Sequence, residues 1–176
     1  MSPFRILEYP DDKLRQVSAP VENFDETLFT LVDNLFRVLE EQGGIGLAAP
    51  QLGCQQRAVV IHVPDDEHGP QVYINPEIIR TAGLGLVEES CLSVPGIVGN
   101  LIRAARVRVR AFDPDGVEFE RDLDGMHAVC LQHEVDHLDG KLFIDRLSWF
   151  RRMRIKRSVA RAERTRLAVA TAEQAH

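Results

Sequence analysis

The sequence predicts an α+β fold, and three observations carry that prediction. A strongly amphipathic stretch lies near the start, short β-branched runs separated by turns fill the middle, and two helical stretches close the chain. Strands that follow one another without intervening helices are not the regular alternation of a doubly wound sheet. At 176 residues one domain is expected, because about 150 residues already bury roughly 70% of the unfolded chain's surface without disulfide staples. A 44% hydrophobic content excludes a disordered or collagen-like chain.

The elements follow in order. Tyr9-Pro10-Asp11-Asp12 and Ser18-Ala19-Pro20 read as loop. Over 25–41, Leu28, Leu31, Val32, Leu35, Phe36 and Leu39 recur at helical spacing, with Gly43 and Gly44 where a stop belongs. The segment GIGLAAPQ at 44–51 breaks that pattern, and AVVIHV at 58–63 reads as a strand ended by Pro64. Short apolar runs at 72–74 and 85–87 also predict strands. Over 105–112, Val107, Val109 and Ala111 alternate with Arg106, Arg108 and Arg110, the mark of a strand with one dry and one wet face. Asp113-Pro114-Asp115-Gly116 turns the chain into a second alternating run over 117–123, so the pair forms a hairpin. A helix is predicted over 126–138, ended by Gly140, and another from Ser148, a suitable N-cap, through the basic tail.

Charge is divided unevenly along the chain. Residues 1–145 carry 12 basic and 25 acidic side chains, a balance of −13, whereas residues 146–166 carry nine basic and one acidic, a balance of +8. An acidic body with a basic tail suggests a nucleic-acid or ribonucleoprotein partner for the tail alone. The organisation expected is a catalytic body over 1–147 and a basic helix and tail over 148–176, packed as one domain. Cys54, Cys91 and Cys130 form no CxxC pair, so a disulfide framework is not expected. The start has no apolar run of signal length and no stretch approaches the roughly 20 residues of a membrane span; a cytoplasmic protein with reduced thiols is expected.

The chemistry centres on His133-Glu134-Val135-Asp136-His137, an HExxH motif in a predicted helix. Four-residue spacing puts both imidazoles on one face, where they can share a metal, and Glu134 can reach a water beside it. A catalytic metal needs a third protein ligand and an open position. The metzincin extension HExxHxxGxxH fails, since Phe143 stands at its last position, and the downstream Glu163 lies among arginines. Cys91 precedes Pro95-Gly96, read as a turn, and could complete a Cys-His-His set, although a lone cysteine is more often a small buried hydrophobe. A zinc metalloprotease shares this motif, and a structural metal site in a binding module would need a fourth protein ligand.

With those residues in place, the chain resembles the peptide deformylases, through three blocks in that family's order: GIGLAAPQ at 44–51, ESCLS at 89–93 and QHEVDHLDG at 132–140. The resemblance implies antiparallel β-sheets packed around the HExxH helix, with an N-terminal amphipathic helix and a C-terminal helix. It implies that Cys91, His133 and His137 bind one divalent metal, usually Fe(II), with Zn, Ni or Co as substitutes. Glu134 would be general base and then general acid, with Gln51 and the Leu92 backbone N–H as donors to the oxyanion. The reaction implied is removal of the formyl group from the N-terminal formyl-methionine of nascent polypeptides, releasing formate. Gly46 suits the site because a missing Cβ lets a substrate backbone approach. Met126, Val129 and Cys130 precede His133 by seven, four and three residues and so share its face; with Ile45 and Val87, at family pocket positions, they would form a slot for methionine.

Two departures stand out: Ser90 where glycine is usual, and Val98 where many members carry arginine. Arg103 is retained and by similarity would pair with Glu89. No catalytic role is expected for Cys54 or for His62, His68, His127 and His176, read as satisfied or exposed. The basic helix over 148–168 could dock on ribosomal RNA near the nascent-chain exit, or be a solvated packing helix.

Overall fold

The computed structural model describes residues 5–64 and 69–173, the side chains of Glu163 and of residues 166–173 excepted. His68 and His176 therefore lie outside the described residues. Three α-helices, seven strands and three 3-10 turns are present among them: a turn at Asp12–Arg15, α1 (Glu26–Gln42), β1 (Gly46–Ala48), a turn at Ala49–Leu52, β2 (Ala58–Ile61), β3 (Gln71–Ala82), β4 (Gly85–Cys91), β5 (Val94–Arg103), β6 (Arg106–Phe112), β7 (Glu118–Asp124), α2 (Gly125–Leu138), a turn at Phe143–Arg146, and α3 (Trp149–Glu173). One sheet runs β1-β2-β3-β6-β7 and a second consists of β4 and β5. Every pairing between named strands is antiparallel. The α+β expectation holds.

The N-terminus of α1 follows from Asp25, whose carboxylate accepts from the Thr27 and Leu28 backbone N–H groups, supplying the acceptor that a first turn lacks. Its buried stripe, Leu28, Leu31, Val32, Leu35, Val38 and Leu39, packs with Leu47, Ala58, Val60 and Ile74 on one side of the sheet. Ala48, Val59, Ile61, Tyr73, Val107, Val109 and Ala111 pack on the other side with Ala128, Cys130, Leu131 and Leu138 of α2. All four β2 residues are buried. That explains why this strand reads as a continuous apolar run while β6 alternates.

Several strands depart from the expected boundaries: β1 was not expected, β2 stops at Ile61 rather than at 63, and β4 runs past 87 to Cys91. The apolar run at 72–74 opens the twelve-residue β3, which continues past Asn75-Pro76 through register shifts between Ile74 and Glu77 and between Ile78 and Arg80. Irregular pairing accommodates a proline that a regular ladder excludes. The Pro95-Gly96 turn is a correction: the chain reverses at Leu92-Ser93, Cys91 pairs with Val94, and Pro95-Gly96 lie inside β5. No strand was expected over 94–103, because Pro95, Gly96 and Gly99 interrupt its apolar pattern. Gly99 has a packing reason: a Cβ there would lie 2.8 Å from Leu147 Cδ2 and 3.2 Å from Phe143 Cε2. Its absence lets the 143–147 segment lie on the β4–β5 sheet.

A third apolar cluster joins Leu14, Cys91, Val94, Leu101, Leu142, Phe143, Ile144 and Leu147 with Ile155 of α3. Ile155 and the partly buried Val159 tie α3 down, while Arg151, Arg154, Lys156, Arg157, Arg161 and Arg164 remain exposed. Among the described residues no helix is long and apolar enough to cross a membrane.

Candidate active site

α2 carries His133 and His137 one turn apart, with ring centroids separated by 5.0 Å. Cys91 arrives from the end of β4, at a register shift between Ser90 and Cys91, a device that re-aims a side chain. Ligand atoms of Cys91, His133 and His137 lie within 4.8 Å of one another, and Cys91 Sγ is 3.2 Å from His137 Nε2. Burial, then the neighbouring His133 and Arg15 charges, hold the His137 pKa well below its ordinary value. A neutral imidazole is the form a metal requires. Burial pulls the His133 pKa down, but hydrogen bonds to Cys91 and Glu89 lift it well above its ordinary value, so His133 must release a proton to join the set.

His133 Nδ1 pairs with Glu89 Oε2 at 2.7 Å. Arg103 grips Glu89 as a fork, Nε to Oε1 at 2.6 Å and Nη2 to Oε2 at 2.9 Å, as the resemblance implied. Burial alone would raise the Glu89 pKa, but Arg103 and His133 outweigh it and bring it to about 2. A carboxylate fixed on Nδ1 leaves Nε2 of His133 as the coordinating nitrogen. One thiol and two oriented imidazoles fit a single divalent transition metal with three protein donors.

Glu134 is 3% exposed and its Oε2 has no hydrogen-bond partner. Burial lifts its pKa to about 7; the His133 charge opposes the rise and the Glu89 and Asp136 charges add to it. That is the range in which a general base works best at neutral pH. Gly46 has a sharper role than room for substrate: a Cβ there would collide with Cys130 Sγ and lie 2.7 Å from Glu134 Oε1. The missing side chain makes space for the carboxylate itself.

Gln51, in the Ala49–Leu52 turn, is buried. Its Oε1 accepts from the Ala48 N–H at 2.8 Å, while Nε2 donates to Ser93 Oγ at 3.1 Å and lies 3.8 Å from Cys91 Sγ. The amide is therefore oriented with its donor end towards the Cys91 loop. Ser93, fully buried, went unnoticed in the sequence although it closes the ESCLS block. Asp136 was missed too: it accepts from Arg103 and from Arg146, and nothing in the HExxH pattern marks its first or second variable position as buried.

A cavity of about 660 Å³ opens beside these groups, lined by Ile45, Gly46, Gln51, Cys91, Leu92, Met126, Val129, Cys130, His133 and Glu134, with Glu8, Glu88, Pro95 and Gly96 also contributing. Val87 is not part of that lining; it pairs with Leu101 across the β4–β5 hairpin. Burial first, then the Glu134 and Glu89 charges, push the Cys130 thiol well above its ordinary range, so it lines the cavity as a protonated apolar group. Ser90 and Val98 turn out to be cross-strand partners, and the Val98 carbonyl accepts from Arg151 Nη2 at 2.7 Å. His62 is exposed and His127 Nε2 pairs with the Tyr73 hydroxyl at 2.8 Å.

An antiparallel α+β frame that gathers a thiol, two imidazoles and a buried carboxylate at a cavity wall is the frame of a metal-dependent hydrolase. Residues 3–153 match the polypeptide deformylase family, and the chain belongs to that family. A peptide deformylase of Chromobacterium violaceum is 44% identical over 164 residues, covering 93% of this chain and 98% of its own length. Among solved structures, the peptide deformylase of Legionella pneumophila is 43% identical with a TM-score of 0.85, covering 93% of this chain and 97% of that one. That of Ehrlichia chaffeensis, in complex with actinonin, is 37% identical with a TM-score of 0.87, covering 93% and 99%.

Proposed function

We propose that this enzyme removes the formyl group from the N-terminal formyl-methionine of newly made polypeptides and releases formate. Cys91, His133 and His137 would hold one divalent metal, Fe(II) by preference with Zn, Ni or Co as substitutes. Bound there, the metal would acidify water and polarise the formyl carbonyl. Glu134 takes the proton from the attacking water and delivers it to the departing amine. Donors at the Gln51 amide and the Leu92 backbone N–H face the oxygen on which charge develops, where one such donor is worth roughly 3 kcal/mol. Ile45, Met126, Val129 and Cys130 supply an apolar wall for the methionine side chain, and Gly46 keeps the Glu134 carboxylate in place. In this reading the sheets enclose the HExxH helix, residues 1–147 form the catalytic body, and residues 148–176 belong to the same domain as a basic helix suited to a ribosomal surface in the cytoplasm.

The observation that carries the reading is Glu134, a buried carboxylate with an unpartnered oxygen and a pKa lifted to about 7, next to a Cys-His-His donor set. The test is formate release from formyl-Met-Ala-Ser by protein prepared with Fe(II) under anaerobic conditions, wild type beside Glu134→Gln. A loss of at least about 10²-fold in kcat is expected. Undiminished turnover by the variant, or cleavage of unformylated protein without formate, overturns the reading.

A further inference from the structure

The polar chain behind His133 does not stop at Glu89. Arg103 spends Nε and Nη2 on Glu89, and its remaining nitrogen Nη1 donates to Asp136 Oδ2 at 2.7 Å. Asp136, only 5% exposed, receives a second guanidinium: Arg146 Nε reaches Oδ2 at 2.8 Å and Nη2 reaches Oδ1 at 2.6 Å. Arg146 ends the Phe143–Arg146 turn, three residues before α3 begins at Trp149. Four side chains, Arg146, Asp136, Arg103 and Glu89, thus connect the segment between α2 and α3 to the His133 imidazole at the candidate metal centre.

We propose that Arg146 is a positioning residue that governs how tightly the metal is held, acting through Asp136, Arg103 and Glu89 on His133. The inference rests on the Cys91, His133 and His137 donor set being a metal centre. Its physical basis is charge and fork geometry. Two carboxylates and two guanidiniums alternate along the chain, and each carboxylate is met by a two-pronged arginine contact, the strongest form of such a pair. Without Arg146, Asp136 loses its fork. It then competes with Glu89 for Arg103, which among the described residues is the guanidinium that pairs with both. Any share of Arg103 that Asp136 gains loosens Glu89, and with it the hydrogen bond that fixes the His133 tautomer and ring orientation. Outer partners of a ligating histidine typically contribute 10- to 100-fold to metal affinity. Arg146 is also the accessible end of the chain: its side chain is 45% exposed against 8% for Asp136. Truncating it leaves the core filled.

The experiment uses full-length protein loaded with Co(II), whose visible absorption reports the donor set, and follows release to excess chelator. Thermal unfolding of each metal-free form is recorded in parallel. Arg146→Ala is expected to release Co(II) 10- to 100-fold faster than wild type, and Arg146→Lys, which restores charge without the fork, to fall between the two. Arg110→Ala, which removes an exposed arginine from the β6–β7 ladder, is expected to match wild type. Equal release by Arg146→Ala and wild type overturns the proposal. So does faster release accompanied by the same proportional loss of metal-free stability in both Arg146 variants, because that outcome denotes a purely structural contact. A wild type that takes up no Co(II) overturns the proposal together with the metal centre, whereas Co(II) retention that obeys the expected order without formate release defeats the deformylase reading alone.

Discussion

Gly46 shows how a single absent atom group can shape a site. A methyl group added there meets the side-chain ends of both Cys130 and Glu134 and must push each from its place on the cavity wall. Overpacking of this kind costs about 1–3 kcal/mol, and a displaced catalytic group can cost about 10²-fold in rate. Gly46→Ala is therefore expected to lower kcat for formyl-Met-Ala-Ser by roughly two orders of magnitude while leaving most molecules folded, as checked by circular dichroism beside the kinetic assay. A variant with native kcat would show that the carboxylate tolerates the shift. At this scale the sequence was informative about the donors and the Glu89–Arg103 pair, and silent about what lies beyond that pair. His133, His137, Cys91 and Gln51 stand in recognisable blocks, whereas Asp136 and Arg146 meet only in space and have no local pattern that announces the contact.

Among the elements, the two short turns at Asp12–Arg15 and Phe143–Arg146 are joined by an ion pair between Arg15 and Asp145, one of whose contacts, Arg15 Nη2 to Asp145 Oδ1, is 3.2 Å. Asp145 Oδ2 also accepts from the Leu142 N–H at 2.9 Å. Burial alone would raise the Asp145 pKa, but Arg15 and the Leu142 amide outweigh it and hold the pKa below its ordinary value. A depressed carboxyl pKa stabilises the fold fully above the unfolded-state value near 4 and loses that contribution as the pH falls through the folded value. Both side chains are one-third exposed, so solvent screening limits the effect to about 0.5–1 kcal/mol. Asp145→Asn should accordingly lower the urea midpoint at pH 6 and converge with wild type towards pH 3, and parallel midpoints across that range would contradict the assignment. Element boundaries were legible where one kind of periodicity dominated, as in α1 and the β6–β7 hairpin. β5 was hidden because its proline and glycines serve close packing against Phe143 and Leu147, a tertiary reason that local pattern does not carry.

For the molecule as a whole, the separation of charge is the feature that the structure turns into a shape. The acidic body is compensated locally where it faces the arginines of β6, through Glu118, Glu120 and Asp122, while the basic residues of α3 project from a helix anchored by Ile155. A cationic arm on an anionic body favours one orientation towards a polyanion. Replacing Arg154, Arg157 and Arg161 together by Glu is expected to weaken co-sedimentation with ribosomes at least tenfold at low salt and to flatten its salt dependence, with formate release from a short peptide unchanged. Binding that is unaffected in low salt would assign α3 a packing role alone. The fold class was legible because helices and strands are segregated along the chain. The division into two sheets was not, since β4 and β5 pair only with each other and nothing in their sequence distinguishes them from strands of the larger sheet.

The candidate ligands enter the centre from different origins: Cys91 from the small hairpin, and His133 and His137 from α2, with 46 positions separating the thiol from the second imidazole. Closing a span of that length is an entropic cost met only by the packing that brings hairpin and helix together. An open chain offers two histidines without their thiol or the Glu89 carboxylate. On the proposed ligand set, metal capture would therefore follow the docking of hairpin and helix rather than seed it, a consequence of the distance between two short motifs.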